Sequence, residues 1–155
     1  MNSDIQTIVL AADHAGFSLK EAVKSFLEQK GYSVQDVGAY ELKDGDDYPH
    51  YMAKAAIKVA QDMSGSVRAI IFGGSGQGEA MVANRFPGVR AAVWYGMSME
   101  MVTLPREHND ANVLSIGARF VDEKETIEAV DLWLKTAFSG DERHKRRIEQ
   151  MDSIE

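Results

Sequence analysis

Val67-Arg68-Ala69-Ile70-Ile71-Phe72 runs directly into Gly73-Gly74-Ser75-Gly76-Gln77-Gly78-Glu79, and a helical pattern then continues to Ala83. A short apolar run rich in isoleucine and valine reads as a buried strand, and the glycines supply the unusual φ/ψ values that turn it into a helix. A bare strand-to-helix turn is satisfied by one or two glycines. Four in six residues point further, to backbone N–H groups brought close to an anion or oxyanion at a helix N-terminus. Two nucleotide motifs are absent. Gly73, Gly76 and Gly78 do not make a GxGxxG register, although the stretch from Gly74 comes near it, and no Gly-Lys-Ser/Thr follows. The loop is better matched to a small oxyanion than to a nucleotide.

Working outward, short apolar runs alternate with amphipathic stretches. Residues 5–12 form an apolar run that ends at Asp13-His14-Ala15-Gly16. Leu19, Val23, Phe26 and Leu27 then fall at i, i+4, i+7 and i+8, one face of a helix that stops at Gly31. Residues 32–37 read as a second strand. A polar loop over 41–47 leads to Asp47-Tyr48-Pro49, where an Asp ahead of Pro marks a helix start, and Met52, Ala56, Val59 and Ala60 repeat the helical spacing. Strands follow at 67–72, 89–94 and 113–116, and helices at 97–107, 126–137 and from about 142. Such alternation predicts a five-stranded parallel sheet covered on both faces: a Rossmann-like three-layer α/β/α sandwich with an extra C-terminal helix, in one domain over 1–155. In open sheets of this kind ligands bind outside the carboxyl ends of the strands. Those ends carry Asp13-His14, the glycine loop and the segment around His108.

Bulk properties narrow the function. The chain has 155 residues, 45% of them apolar and 26% charged, a balance that supports one ordinary core. Net charge is -7 with acidic residues spread along the chain, which argues against nucleic-acid binding, where clustered Lys and Arg neutralise phosphates. The exception is Arg143-His144-Lys145-Arg146-Arg147, either a solvated helix face or a site for a small anion. With no cysteine, disulfides, thiolate metal sites and a thiol base are excluded. Residues 1–10 lack a secretory signal pattern, and no run approaches the roughly 20 apolar residues of a membrane helix. A soluble, cytoplasmic protein with no membrane or nucleic-acid partner is expected.

Several residues can carry chemistry. Glu79 opens the helix after the glycine loop; it is either a first-turn acidic residue favoured by the helix dipole or a proton-transferring carboxylate. Isomerisation through an ene-diolate needs one base that moves a proton between adjacent carbons and donors that stabilise the oxyanion. A glycine loop followed at once by a carboxylate supplies both without metal. Of the four histidines, His14 and His108 stand in polar clusters, but no HExxH or comparable ligand spacing marks a metal site. Arg143 and Arg147, four apart, share a helix face and can grip a phosphate, with surface salt bridges as the alternative. Arg119, just beyond the fifth strand, is a third candidate.

The motifs jointly resemble the ribose-5-phosphate isomerase B family, which includes the galactose-6-phosphate isomerase subunits. The matching blocks are Ala12-Asp13-His14-Ala15-Gly16, Asp47-Tyr48-Pro49-His50-Tyr51, Gly74-Ser75-Gly76-Gln77-Gly78 with Ala83-Asn84-Arg85-Phe86, Arg106-Glu107-His108-Asn109-Asp110-Ala111-Asn112, and Arg143-His144-Lys145-Arg146-Arg147. They occur in family order over about 5–148. The resemblance implies that Asp13 holds substrate hydroxyls and that His14 meets the phosphate or assists at the sugar ring. It implies that Ser75 and the loop N–H groups around Gly74, Gly76 and Gly78 stabilise the ene-diolate. By the same resemblance His108, with Asn109 beside it, assists ring opening, Tyr48 lines the pocket, and Arg119, Arg143 and Arg147 bind phosphate. It further implies a homodimer or homotetramer with active sites shared between subunits, and no metal or organic cofactor.

One position departs from many members. Where they carry a cysteine base at the start of the loop, this chain has Gly73. It resembles instead a branch with Gly-Gly-Ser-Gly-x-Gly-Glu, matched residue for residue over 73–79, in which the glutamate is the base. Gly73 leaves the cysteine's volume empty, and a longer carboxylate from the helix start can reach the same substrate carbons. The expected function is aldose–ketose isomerisation of a sugar phosphate, ribose 5-phosphate to ribulose 5-phosphate, with Glu79, Ser75, His108 and Asp13 as the catalytic set. The alternatives are another sugar phosphate (galactose or allose 6-phosphate, or a tetrose phosphate) and a non-catalytic binding module.

Overall fold

A computed structural model of the chain describes residue 5 and residues 7–154. The expected strand over 5–12 includes Gln6, the leader reading covers 1–10 and the domain bound runs to 155, so each of these falls partly outside the described residues. The elements run β1 (Thr7–Ala12), α1 (Phe17–Gln29), β2 (Ser33–Asp36), α2 (Tyr48–Ala60), β3 (Val67–Gly73), α3 (Gln77–Ala83), β4 (Ala91–Trp94), α4 (Glu100–Asn109), β5 (Val113–Gly117), α5 (Glu123–Lys135) and α6 (Glu142–Asp152). The five strands form one sheet in the order β2-β1-β3-β5-β4, with every pairing parallel.

Alternate residues of each strand face opposite sides of the sheet, and both sides are covered. Ile8, Leu10, Ile70, Phe72, Leu114 and Ile116 pack with Val23 and Leu27 of α1 and with Val130, Trp133 and Leu134 of α5. Val9, Ala11, Ala69, Ile71 and Val113 face the other way, onto Met52, Ala55, Ala56 and Val59 of α2 and Ala83 of α3. This is the three-layer sandwich that the continuous apolar strands predicted. The last helix, α6, adds to it by contacting α4.

Differences from the predicted boundaries have local causes. α5 begins at Glu123 rather than 126 because Asp122 and Glu125 form a reciprocal capping box ahead of the apolar stripe. α4 begins at Glu100 rather than 97, after Met97 adopts a left-handed φ of 71°. Asp47 does precede α2, but its side chain makes no capping hydrogen bond.

The chain reverses its direction of strand addition at β1, whose neighbours are β2 on one side and β3 on the other. A crevice opens at the carboxyl ends of the strands at such a point. Ala12 pairs with Phe72 and Gly73 with Gly117, so Asp13, the glycine loop and the segment after β5 converge there.

Candidate active site

The glycine loop is held from below by the end of β5. Ala118 N–H donates to Gly73 C=O at 2.8 Å, Arg119 N–H to Gly74 C=O at 3.1 Å, and the buried Ser115 hydroxyl to Gly76 C=O at 2.7 Å. Gly76 caps α3 with φ 76°, and a Cβ there would lie 3.0 Å from the Gly117 nitrogen. The left-handed conformation and the close approach both require glycine. Gly76 is therefore a turn residue beneath the loop, while Gly74, Ser75 and Gly78 line the pocket above it. Ser75 Oγ accepts from Gln77 N–H at 3.3 Å.

Glu79 projects from the first turn of α3 and is only 4% exposed. Its carboxyl lies over Gly73 so closely that any Cβ at residue 73 would overlap it. That is the volume a loop-borne side chain would occupy, and the glutamate fills it. Burial pushes the Glu79 carboxyl above the ordinary range; the neighbouring Asp13 charge adds to this, and N–H groups of Glu79 and Gly76 partly offset it. Its Oε2 is buried and has no hydrogen-bond partner among the described residues. An unsatisfied buried carboxylate oxygen is costly, and a ligand proton would satisfy it.

Asp13, at the end of β1, is 5% exposed and spends Oδ1 on the N–H groups of Ala15 (3.0 Å) and Gly16 (3.2 Å). His14 follows it, and its N–H and Nδ1 lie 2.8 and 2.9 Å from Asp46 Oδ1. Tyr48, first residue of α2, sets its hydroxyl against Gly78, where a Cβ would collide with it. The Arg119 guanidinium stands over Gly74, 3.2 Å from where a Cβ would be. Asp13, His14, Asp46, Tyr48, Gly74, Ser75, Gly78, Glu79 and Arg119 thus line one cavity of about 450 Å³, with Ala15 and Phe120 completing it. Three carboxylates, a histidine, an arginine and loop N–H groups in one crevice can bind a polyhydroxylated anion and transfer a proton within it.

Besides Gly76, which sits beneath the loop, four of the sequence-predicted site residues lie outside this cavity. His108, near the end of α4, stacks on His144 of α6 with ring centroids 4.3 Å apart. The His144 imidazole is held below its ordinary pKa by burial first and by the neighbouring His108 second. Asn109 closes α4, and its carbonyl accepts from Arg90 Nε at 2.8 Å. Arg143 sits 3.3 Å from Asp141, and Arg147 lies one turn further along α6. These residues form a second cluster on α4 and α6. A larger cavity of about 700 Å³, lined by Arg85, Phe86, Arg90, Asn109 and Met151 among others, contains none of Asp13, Ser75 and Glu79.

Asp46 is the residue that sequence reasoning missed. It stands in an acidic loop with Asp44 and Asp47, and nothing in the local pattern separates the three. Asp13, His14 and Asp46 offer donor atoms within 4.8 Å of one another. The Asp46 contact with His14 and the Asp13 contacts with the turn account for that closeness without an ion.

Comparison with known proteins finds similar chains along nearly the whole length. The family model described as Ribose/Galactose Isomerase matches residues 8–151. A ribose-5-phosphate isomerase B from Mycolicibacterium paratuberculosis is 38% identical over 148 residues, covering 96% of this chain and 91% of its own. The crystal structure of a ribose 5-phosphate isomerase from Thermotoga maritima superposes with a TM-score of 0.87 at 37% identity, covering 96% of this chain and 99% of that one. The Mycoplasma genitalium ribose-5-phosphate isomerase B, solved with ribulose 5-phosphate bound, gives a TM-score of 0.89 at 38% identity, covering 94% and 93%.

Proposed function

The chain belongs to the ribose/galactose isomerase family, and from that premise we propose that it interconverts ribose 5-phosphate and ribulose 5-phosphate with Glu79 as the base. It is an aldose–ketose isomerase. The observation that carries the assignment of the base is the buried Glu79 carboxyl, seated over Gly73 beside the glycine loop.

In the open-chain aldose phosphate, the Glu79 carboxylate removes the proton on C2. The C2 electron pair forms the C1–C2 double bond and the carbonyl pair moves onto O1, giving an ene-diolate. Ser75 and the loop N–H groups stabilise the oxyanion where charge develops. The O2 proton passes to O1, and Glu79 returns its proton to C1, leaving the ketose. Asp13 accepts from substrate hydroxyls, Tyr48 shapes the wall, and His14 and Arg119 are the cations within the cavity.

His108, Asn109, Arg143 and Arg147 enter this scheme from a neighbouring subunit. The reading is of a cytoplasmic homodimer or homotetramer in which the α4–α6 cluster of one copy completes the cavity of another, with ring opening and phosphate binding as its tasks. No metal or organic cofactor has a part in it. Among the described residues no helix is long and apolar enough to cross a membrane.

A six-carbon sugar phosphate is the second reading, favoured by the family description. A panel of pentose, hexose and tetrose phosphates assayed side by side tests both. Turnover highest on ribose 5-phosphate is expected. Preference for a hexose phosphate would move the assignment within the family, and tight binding without exchange of the C2 proton would make the protein a binding module.

A further inference from the structure

Asp46 lies 32 positions from His14 in sequence, yet one of its oxygens meets that residue twice. The backbone N–H of His14 donates to Oδ1 at 2.8 Å, and Nδ1 lies 2.9 Å from the same oxygen. The Asp46 side chain is 5% exposed and the His14 side chain 28%, so the carboxylate is the inner partner and the ring is open to the cavity. An ionised carboxylate only accepts, so the proton must sit on Nδ1, and Nε2 is left for a ligand.

We propose that Asp46 is a positioning residue: it sets the tautomer and orientation of His14 and keeps the ring cationic toward the phosphate of the substrate. The proposal rests on the isomerase reading above. The charged groups around His14 come from three segments. Asp13, after β1, has Oδ2 4.0 Å from Nδ1; Asp46 lies in the β2–α2 loop; Arg119 follows β5 and opposes a positive ring. Tyr51 of α2 faces Asp46 from behind. The Asp46 hydrogen bond, the largest influence, raises the His14 pKa above its ordinary value, against partial desolvation. Asp46 itself is held below the carboxylate range: its partnership with His14 outweighs the opposing cost of burial, which is the largest single influence on it. Each partner thus favours the charged form of the other.

The test compares the unaltered protein with Asp46→Asn, which keeps the shape and removes the charge. The imidazole of His14 is titrated by NMR, and kcat and KM for ribose 5-phosphate are measured across neutral pH. In Asp46→Asn the His14 midpoint is expected to fall. Near neutrality KM rises about tenfold, the loss of one charge-assisted contact, with kcat little changed. In a His14→Asn background, adding Asp46→Asn leaves KM where it was. An unchanged midpoint overturns the proposal, as does a KM rise of equal size in the His14→Asn background. A fall in thermal stability with an unchanged midpoint would reduce Asp46 to a structural contact and also overturns it. If the unaltered protein does not turn over ribose 5-phosphate, the functional reading fails on its own. The His14 titration, repeated with inorganic phosphate as probe, still decides the role of Asp46.

Discussion

At residue 73 even a methyl group would intrude on the Glu79 carboxyl, and displacing a reacting group by about 1 Å costs on the order of a hundredfold in rate. Gly73→Ala is therefore expected to lower kcat by about a hundredfold while KM and thermal stability change little; steady-state kinetics and thermal unfolding check this. The pH profile supplies a second expectation. Because burial and Asp13 raise the Glu79 pKa, the carboxylate is available only above the ordinary glutamate range. The acid limb of kcat/KM then lies above that range, and activity is lost as pH falls through it. The same raised value means that Glu79 withdraws folding stability as pH climbs from its unfolded to its folded pKa. Glu79 and Ser75 were legible in the sequence because their chemistry is local to the loop. Asp46 was not, because its partner lies on another strand end and is brought to it only by the fold.

Among the elements, α3 has only 7 residues and starts from a left-handed glycine, so its place depends on Gly76. Gly76→Ala forces an L residue to φ 76° and sets a Cβ 3.0 Å from the Gly117 nitrogen. A loss of about 2 kcal/mol in urea unfolding is expected, with activity falling in parallel as the loop moves. On α1 the apolar spacing identified Val23 and Leu27, and Lys20 shares their face. It is fully buried, 2.7 Å from Asp36 and 2.6 Å from the Ala39 carbonyl, and so ties α1 to the end of β2 and the loop behind it. Reading a lysine as a solvated residue misses this. Breaking a buried pair by removing one partner costs about 3–5 kcal/mol, so Lys20→Met is expected near the lower figure because Lys24 still pairs with Asp36 at 3.2 Å. Strand positions, by contrast, were legible because β1, β3 and β5 are apolar on both faces.

In the whole molecule, the switch of strand order beside β1 brings Asp13, the glycine loop and Arg119 to one crevice, while α4 and α6 carry His108, Asn109, Arg143 and Arg147 elsewhere. Sequence blocks identified both sets, and the resemblance they carry implies sites shared between subunits, but the local patterns do not say which chain's cavity each set serves. If subunits share sites, mixing Glu79→Gln with Arg147→Ala chains restores activity to roughly a quarter of normal, since half of the dimers are mixed and each mixed dimer keeps one intact site. No recovery on mixing would place all of the machinery within one chain.

Glu79 as the proton-transferring base is tested most directly by following the C2 proton of ribose 5-phosphate in D₂O by NMR with Glu79→Gln. The expected result is loss of both C2 exchange and ketose formation by about a thousandfold, with thermal stability and inorganic phosphate binding retained. Exchange and turnover near the unaltered rate would contradict it and assign the proton transfer to another group.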